Sequence, residues 1–242
     1  MRTQAEEYNE SDLVVGVIPA RWKSSRFEGK PLVEISGIPM IRRVYDRACM
    51  AQSLDKVYVL TDDNRINDYC QRHDINCIII TELCRTGTDR CAHALKLLEG
   101  KLFVNIQGDE PLINPEAINR LVKSFDHSIG VANAYTKINQ DYKFTDDTIV
   151  KVVFDKNSNA LYYSRLAISK FQQIGLYAYT RAMLEAFPRF TVGQLEINES
   201  VEMLRYLEHG FEVKMVEVDD EGLSVDTPND LKLVELKLMG YH

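Results

Sequence analysis

Short apolar runs of strand length alternate along the chain with stretches whose apolar residues recur at helical spacing, which is the pattern of an α/β sheet protein. The first run, Val14 to Pro19, stops at a proline and opens into Ala20 to Leu32, a small basic loop containing Gly29. Pro39 to Ala51 places Met40, Ile41, Val44, Tyr45 and Ala48 on one helical face, behind the turn Gly37-Ile38-Pro39. Strands are predicted at Lys56 to Leu60, Cys77 to Ile80 and Leu102 to Ile106, with helices over Asn64 to His73, from Thr86 onward through Leu98, and over Pro115 to Phe125. An apolar strand follows near Ile129 to Ala134. Ile149 to Phe154 and Ala160 to Ser164 then flank the turn Asp155 to Asn159 as a hairpin, so the sheet is predicted to be mixed. Gly175 to Tyr179 and Phe211 to Val218 are further strands, Leu195 to Glu208 is one helix, and Ser224 to Leu231 opens the last.

Composition narrows the function classes. A chain of 242 residues, 45% hydrophobic and 27% charged, can bury a full core and reads as one globular domain with at most a small lobe. A net charge of −7 argues against nucleic acid as a partner, which selects a basic face. No apolar run approaches the roughly 20 residues that span a bilayer, and the start MRTQAEEYNE reads as too acidic and polar for a signal peptide; the expectation is a cytoplasmic protein with no membrane partner. The five cysteines, Cys49, Cys70, Cys77, Cys84 and Cys91, contain no C-x-x-C pair and no zinc-type spacing with histidine, so they read as reduced structural thiols.

Against that acidic background the cations Arg21, Arg26 and Lys30 in one short loop stand out. With backbone N–H groups and the Ser24 and Ser25 hydroxyls they form a set of donors suited to a triphosphate, although a solvated basic loop has the same composition. Neither G-x-x-x-x-G-K-[ST] nor G-x-G-x-x-G is present. Asp62 and Asp63 end a strand as a metal pair or a helix cap. Thr86-Gly87-Thr88-Asp89-Arg90 offers hydroxyls and free N–H groups at a helix start, to a cap or to a ligand. Asp109, beside Gly108 at the end of a continuous apolar strand, falls at the carboxyl edge of the sheet and is the first candidate for a magnesium ligand, an ion usually held by one or two carboxylates plus phosphates. Asp226 is a second carboxylate or a cap. Glu196, Glu199 and Glu202 at i, i+3, i+6 make an acidic stripe whose usual place is a solvated face.

In order and spacing, IPARWKSSRFEGKPL, TGTDR, NIQGDEPLI, IVKVV, ALYYSR, IGLYAY, LEINESVEMLRYLEHG and VDTPNDL together resemble the CMP-Kdo synthetase family, the 3-deoxy-manno-octulosonate (Kdo) cytidylyltransferases, nearly end to end. The resemblance implies an α/β, Rossmann-like nucleotidyltransferase with a mixed, mainly parallel sheet. It implies a single domain over residues 1–242, in which about 130–180 contribute a smaller dimerisation lobe, working as a homodimer. It implies transfer of CMP from CTP to the anomeric hydroxyl of a sugar acid, with Mg²⁺ as cofactor and pyrophosphate as product. By motif position Ala20, Arg21, Ser24, Arg26 and Lys30 hold the triphosphate, while Thr88, Arg90 and Gln107 contact the nucleotide or sugar. Asp109 and Asp226 bind the metal and, with Arg21 and Lys30, form the catalytic set; Gln107, Arg165, Gln173, Tyr177, Glu196 and Glu199 face the sugar acid.

The chain departs from the family's pattern at three places. Glu28 stands where proline is usual, Gln173 where histidine is usual, and the connection from Arg165 to Gly175 is short. These departures lie mostly on the acceptor side. They predict an acceptor differing from plain Kdo in size or substituent, or weaker binding of Kdo itself; a nonulosonate, a phosphonate and a non-catalytic nucleotide binder are the competing readings.

Overall fold

The computed structural model describes residues 12–23, 27–126, 128–139, 141–220 and 222–240. In chain order it holds β1 (Val14–Ala20), β2 (Glu34–Ile35), β3 (Ile38–Pro39), α1 (Met40–Cys49), β4 (Lys56–Thr61), α2 (Asn64–Arg72), β5 (Cys77–Ile79) and α3 (Gly87–Ala94). There follow β6 (Leu102–Ile106), α4 (Pro115–Lys123), β7 (Val131–Lys137), α5 (Asp141–Thr145), β8 (Lys151–Phe154), β9 (Ala160–Ser164) and β10 (Phe171–Thr180). The last elements are α6 (Arg181–Ala186), α7 (Gln194–Glu199), α8 (Met203–Glu208), β11 (Lys214–Glu217) and α9 (Pro228–Leu238).

The predicted mixed, mainly parallel sheet is present, in the order β11-β7-β10-β6-β1-β4-β5. Strand β1 pairs in parallel with β4 and β6, β4 with β5, and β7 with β11, whereas β10 runs antiparallel to β6 and β7. The β8–β9 hairpin hangs off this path, joined to β10 through Gln172 and Lys151.

Alternation along the strands assigns each face. Val15 and Val17 of β1, Phe103 of β6, and Tyr177 and Tyr179 of β10 bury against Cys91 and Ala94 of α3, Leu184 of α6 and Tyr206 of α8. Ile18, Val104, Leu176 and Ala178 point the other way, onto Ile41 and Val44 of α1, Ile66 and Cys70 of α2, and Ile118 and Leu121 of α4. A small third cluster joins Ile35, Met40, Val225 and Val234, seating α9 beside the β2–β3 hairpin.

Helix starts follow their caps. Asp63 accepts from the Arg65 N–H at α2, Asn114 caps α4 ahead of Pro115, and capping boxes Thr86/Asp89 and Thr227/Asp230 open α3 and α9. Where the sequence predicts one helix over Leu195 to Glu208, the chain breaks: Ser200 adopts φ 56° and separates α7 from α8. Phe171 to Ile174 also extend β10 into what reads from sequence as a connection. Among the described residues no helix is long and apolar enough to cross a membrane.

After β5 the chain crosses over β1 and β4 to lay β6 on the far side of β1. Strand order therefore reverses between β1 and β6, and their carboxyl ends splay into the crevice where sheets of this kind bind ligands.

Candidate active site

The crevice is a cavity of about 400 Å³. The end of β1 supplies Pro19, Ala20 and Arg21, and the turn after β6 supplies Gln107, Gly108 and Asp109. Arg85, Thr86, Gly87 and Arg90 enter from the start of α3, Lys30 and Pro31 from the turn after the basic loop, and Arg165, Ser200 and Asp226 close the rim. Gly108 is dictated by space: a Cβ there would sit 2.7 Å from the Pro19 carbonyl oxygen, so the β6 turn approaches β1 this closely only without a side chain.

Five cations face two carboxylates in this lining, in a protein whose net charge is −7. Lys30 Nζ donates to Asp109 Oδ2 at 2.8 Å, to Asp226 Oδ1 at 3.2 Å and to the Val225 carbonyl at 2.9 Å. The lysine thus bridges the two aspartates, and all three ammonium donors are spent on them and their backbone. Asp226 stands just ahead of the α9 cap, which Thr227 provides. Arg90 is buried: its Nη2 donates to Asp62 Oδ2 at 2.8 Å, and its Nη1 is buried with no hydrogen-bond partner among the described residues. The strand-end pair Asp62-Asp63 is accordingly divided, Asp62 to Arg90 and Asp63 to the α2 cap and Arg65.

Arg165 reaches the rim from a set of fixed contacts. Its Nη1 donates to the carbonyls of Asp147 and Thr148 at 3.3 and 3.0 Å, its Nε donates to the Glu199 carbonyl at 3.2 Å, and its N–H donates to Glu199 Oε2 at 3.1 Å. Glu199 also accepts from Ser164 Oγ and Tyr162 Oη, and so lies behind Arg165 as its brace. Lys151, fully buried in β8, donates to the carbonyls of Asp146 and Arg165 beneath the same turn.

Of the residues assigned from the sequence, the cavity therefore gathers Ala20, Arg21, Lys30, Arg90, Gln107, Asp109, Arg165 and Asp226. Ser24 and Arg26 lie outside the described residues. Thr88 is fully buried behind the wall, its Oγ1 donating to Glu202 Oε1 at 2.8 Å and lying 3.1 Å from Tyr179 Oη. Gln173 Nε2 donates to Tyr177 Oη at 2.8 Å, neither residue lines the cavity, and burial pushes the Tyr177 phenol well above its ordinary range.

The acidic stripe is a correction. Glu196 is not on a solvated face and does not line the cavity: it is 7% exposed and takes a fork from Arg205, Nε to Oε2 at 2.7 Å and Nη2 to Oε1 at 2.6 Å. Arg205 Nη1 also reaches Asp89 Oδ1 at 3.3 Å, and Asp89 Oδ2 accepts from the Arg85 and Thr86 N–H groups. The break at Ser200 sends the three glutamates to different partners, Glu196 to Arg205, Glu199 to the Arg165 turn and Glu202 to Thr88. Arg85, Lys151 and Arg205 escape a sequence reading; the trace of Lys151 and Arg205 is a lone cation among apolar residues, as in Ile149-Val150-Lys151-Val152-Val153, and that of Arg85 is its place directly before Thr86-Gly87-Thr88-Asp89-Arg90.

Comparison with known proteins decides the family. The family model described as cytidylyltransferase matches residues 15–213. This chain belongs to the cytidylyltransferase family. Among its relatives, the 8-amino-3,8-dideoxy-manno-octulosonate cytidylyltransferase of Shewanella piezotolerans is 39% identical over 237 residues, covering 92% of this chain and 97% of that protein. The mitochondrial 3-deoxy-manno-octulosonate cytidylyltransferase of Arabidopsis thaliana is also 39% identical, over 238 residues, covering 92% of this chain and 82% of that one. The solved structure of CMP:2-keto-3-deoxy-manno-octonic acid synthetase complexed with CTP superposes with a TM-score of 0.90 at 33% identity, covering 96% of this chain and 100% of that one. The cytidylyltransferase resemblance read from the motifs thus holds over nearly the whole chain, and the protein is an enzyme of the Kdo branch of that family.

Proposed function

We propose that this cytidylyltransferase transfers CMP from CTP to the anomeric hydroxyl of a Kdo-like sugar acid and releases pyrophosphate. The observation that carries the reading is the crevice between β1 and β6, where Arg21, Arg85 and Arg90 line one cavity with Asp109, Asp226 and Lys30. A triphosphate matches that donor set, and transfer at phosphorus needs positioning and charge neutralisation more than a protein nucleophile. The anomeric oxygen bonds to the α-phosphorus, the bond from that phosphorus to the α,β-bridging oxygen breaks, pyrophosphate carries the charge away and the hydroxyl proton is lost to base. Arg21 and Arg90 stabilise the charge that develops on the triphosphate, and Arg165 pairs with the acceptor's carboxylate.

Asp109 and Asp226 are the residues we assign to magnesium. Their carboxylates converge on one ammonium nitrogen, 2.8 and 3.2 Å away, so the fold already brings both anions to a common cation. No group of three or more metal-ligating side chains occurs among the described residues, and the donor set suits an ion that draws its other ligands from phosphate and water. When bound, magnesium supplies neutralisation of the phosphates and favours deprotonation of the attacking hydroxyl. Lys30, held between the aspartates, offsets their mutual repulsion and keeps the pair in place.

We further assign residues of about 130–180 to a homodimer contact. Leu161, Leu166 and Ile168 are 62%, 70% and 39% exposed on and after β9, and Ile197 of the adjoining α7 is 56% exposed, an apolar surface of the kind that marks a protein contact. Leu166→Asp should convert a dimer to a monomer in light scattering. The compartment we propose for the enzyme is the cytoplasm, where CTP is at hand and thiols stay reduced.

The acceptor is tested by pyrophosphate release with CTP, Mg²⁺ and a panel containing Kdo, its 8-amino-8-deoxy analogue, a nonulosonate and a phosphonate. Turnover with either octulosonate supports the reading, and its absence with every octulosonate while another acid is used overturns it. CTP binding without turnover of any acid would favour a non-catalytic binder.

A further inference from the structure

We infer that Trp22, Glu28 and Arg65 form a staple that sets the spacing of the pocket residues Arg21 and Lys30, and that they are positioning residues for the triphosphate end of the nucleotide. The inference rests on the reading of the crevice as a CTP site. Trp22 follows Arg21 directly, and Gly29 directly precedes Lys30. Across the base of the loop the Gly29 N–H donates to the Trp22 carbonyl at 3.0 Å, and the Trp22 indole Nε1–H donates to Glu28 Oε1 at 3.0 Å. Gly29 has φ 71°, and a Cβ on it would meet the indole Cζ2 at 3.0 Å, so the glycine lets the backbone lie against the ring.

Arg65 covers a face of the indole, its guanidinium carbon 3.6 Å from the ring centroid. Arg65 is itself forked onto Asp63, Nε to Oδ1 at 2.9 Å and Nη2 to Oδ2 at 2.7 Å, at the capped start of α2. Two consecutive residues at the end of β4 therefore anchor the phosphate side of the crevice: Asp62 through Arg90, and Asp63 through Arg65 and Trp22. Glu28 directs its charge to the indole and toward Arg65, and it does not line the cavity. A proline at that position has no side-chain acceptor for the indole N–H, so the staple is a device that Glu28 brings with it. Holding the two ends of the loop together before the ligand arrives reduces the ordering cost of binding.

Trp22 is the chain's single tryptophan, so its fluorescence reports on the staple alone. The test is a titration of the full-length wild type and of Trp22→Phe, Glu28→Ala, Glu28→Gln and Arg65→Ala with CTP and Mg²⁺. Calorimetry is applied to all five proteins, indole emission to those that keep Trp22, and steady-state kinetics follow. CTP should shift the wild-type emission. Trp22→Phe, Glu28→Ala and Arg65→Ala should each raise the Kd and KM for CTP by about 3- to 10-fold, with kcat within about twofold, as loss of one charge-assisted hydrogen bond or cation–π contact implies. Glu28→Gln, which keeps a carbonyl acceptor, should restore most of the affinity. Wild-type CTP affinity in both Glu28→Ala and Arg65→Ala would overturn the staple while leaving the nucleotide site standing, as would a loss confined to kcat. Failure of the wild type to bind CTP would overturn the nucleotide reading and the staple's role with it.

Discussion

Replacing Arg205 by Met leaves two carboxylates without their cation in the interior. Arg205 is 2% exposed, Glu196 7% and Asp89 6%, and the guanidinium also lies 4.0 Å over the Phe187 ring. Breaking a buried pair by removing one partner costs about 3–5 kcal/mol, because the stranded charge has lost both water and its counter-ion. In a domain of this size each kcal/mol lowers Tm by about 2–4 °C, so Arg205→Met should melt about 6–20 °C below wild type by circular dichroism. Asp89 is the N3 residue of the α3 capping box and holds the Arg85 and Thr86 N–H groups, so the loss spreads to the cavity wall and CTP affinity should fall several-fold at 25 °C. Adding Glu196→Gln removes one stranded charge, and the double variant should recover part of the lost Tm. A Tm for Arg205→Met within about 2 °C of wild type, or a double variant less stable than the single, would refute the buried-triad argument.

The other predictions bear on the site and its frame. Asp109→Asn and Asp226→Asn should each lower kcat at least about a hundredfold, near 3 kcal/mol of barrier, with an unchanged circular dichroism spectrum; near-wild-type turnover removes that residue from the site. Lys30→Met should weaken CTP binding or slow transfer at least about tenfold, and unchanged affinity together with unchanged turnover contradicts its role. Gly108→Ala should cost about 1–3 kcal/mol in a thermal or denaturant melt, since its Cβ meets a backbone oxygen that cannot turn aside. For Glu202, burial pushes the carboxyl above the ordinary glutamate range despite its hydrogen bonds from Thr88. A raised folded pKa makes that stability contribution complete below the ordinary glutamate pKa and lost as pH climbs through the raised value. Glu202→Gln should therefore gain Tm relative to wild type between acid and neutral pH, and a difference that does not vary with pH contradicts this.

How much was legible in the sequence follows from the range of each interaction. Val14 to Ala20, Lys56 to Thr61 and Leu102 to Ile106 announce themselves because buried parallel strands are continuous apolar runs, and the residues just past them fall at one sheet edge whatever the details. Arg21, Gln107 and Asp109 could be placed in one crevice for that reason. The break at Ser200 is not written in the local pattern: Glu196, Glu199 and Glu202 have helical spacing, and their partners become visible only when separate elements pack, Arg205 from the next helix and Ser164 and Thr88 from distant parts of the chain. Lys30 shows the limit of charge-type reasoning. A lysine in a basic loop reads as a phosphate ligand, yet its near partners are two aspartates 79 and 196 residues away. Arg90 lies between these cases, since TGTDR points to a ligand while Asp62, which fixes its direction, precedes it by 28 residues.

The most direct test of the central claim follows the α-phosphorus of CTP by ³¹P NMR in the presence of Mg²⁺ and an octulosonate. The account predicts a new phosphodiester resonance of a CMP-sugar and an equal amount of pyrophosphate, both dependent on the sugar acid and both lost in Asp109→Asn. CTP that stays intact with every octulosonate, or is hydrolysed without forming the phosphodiester, would contradict it.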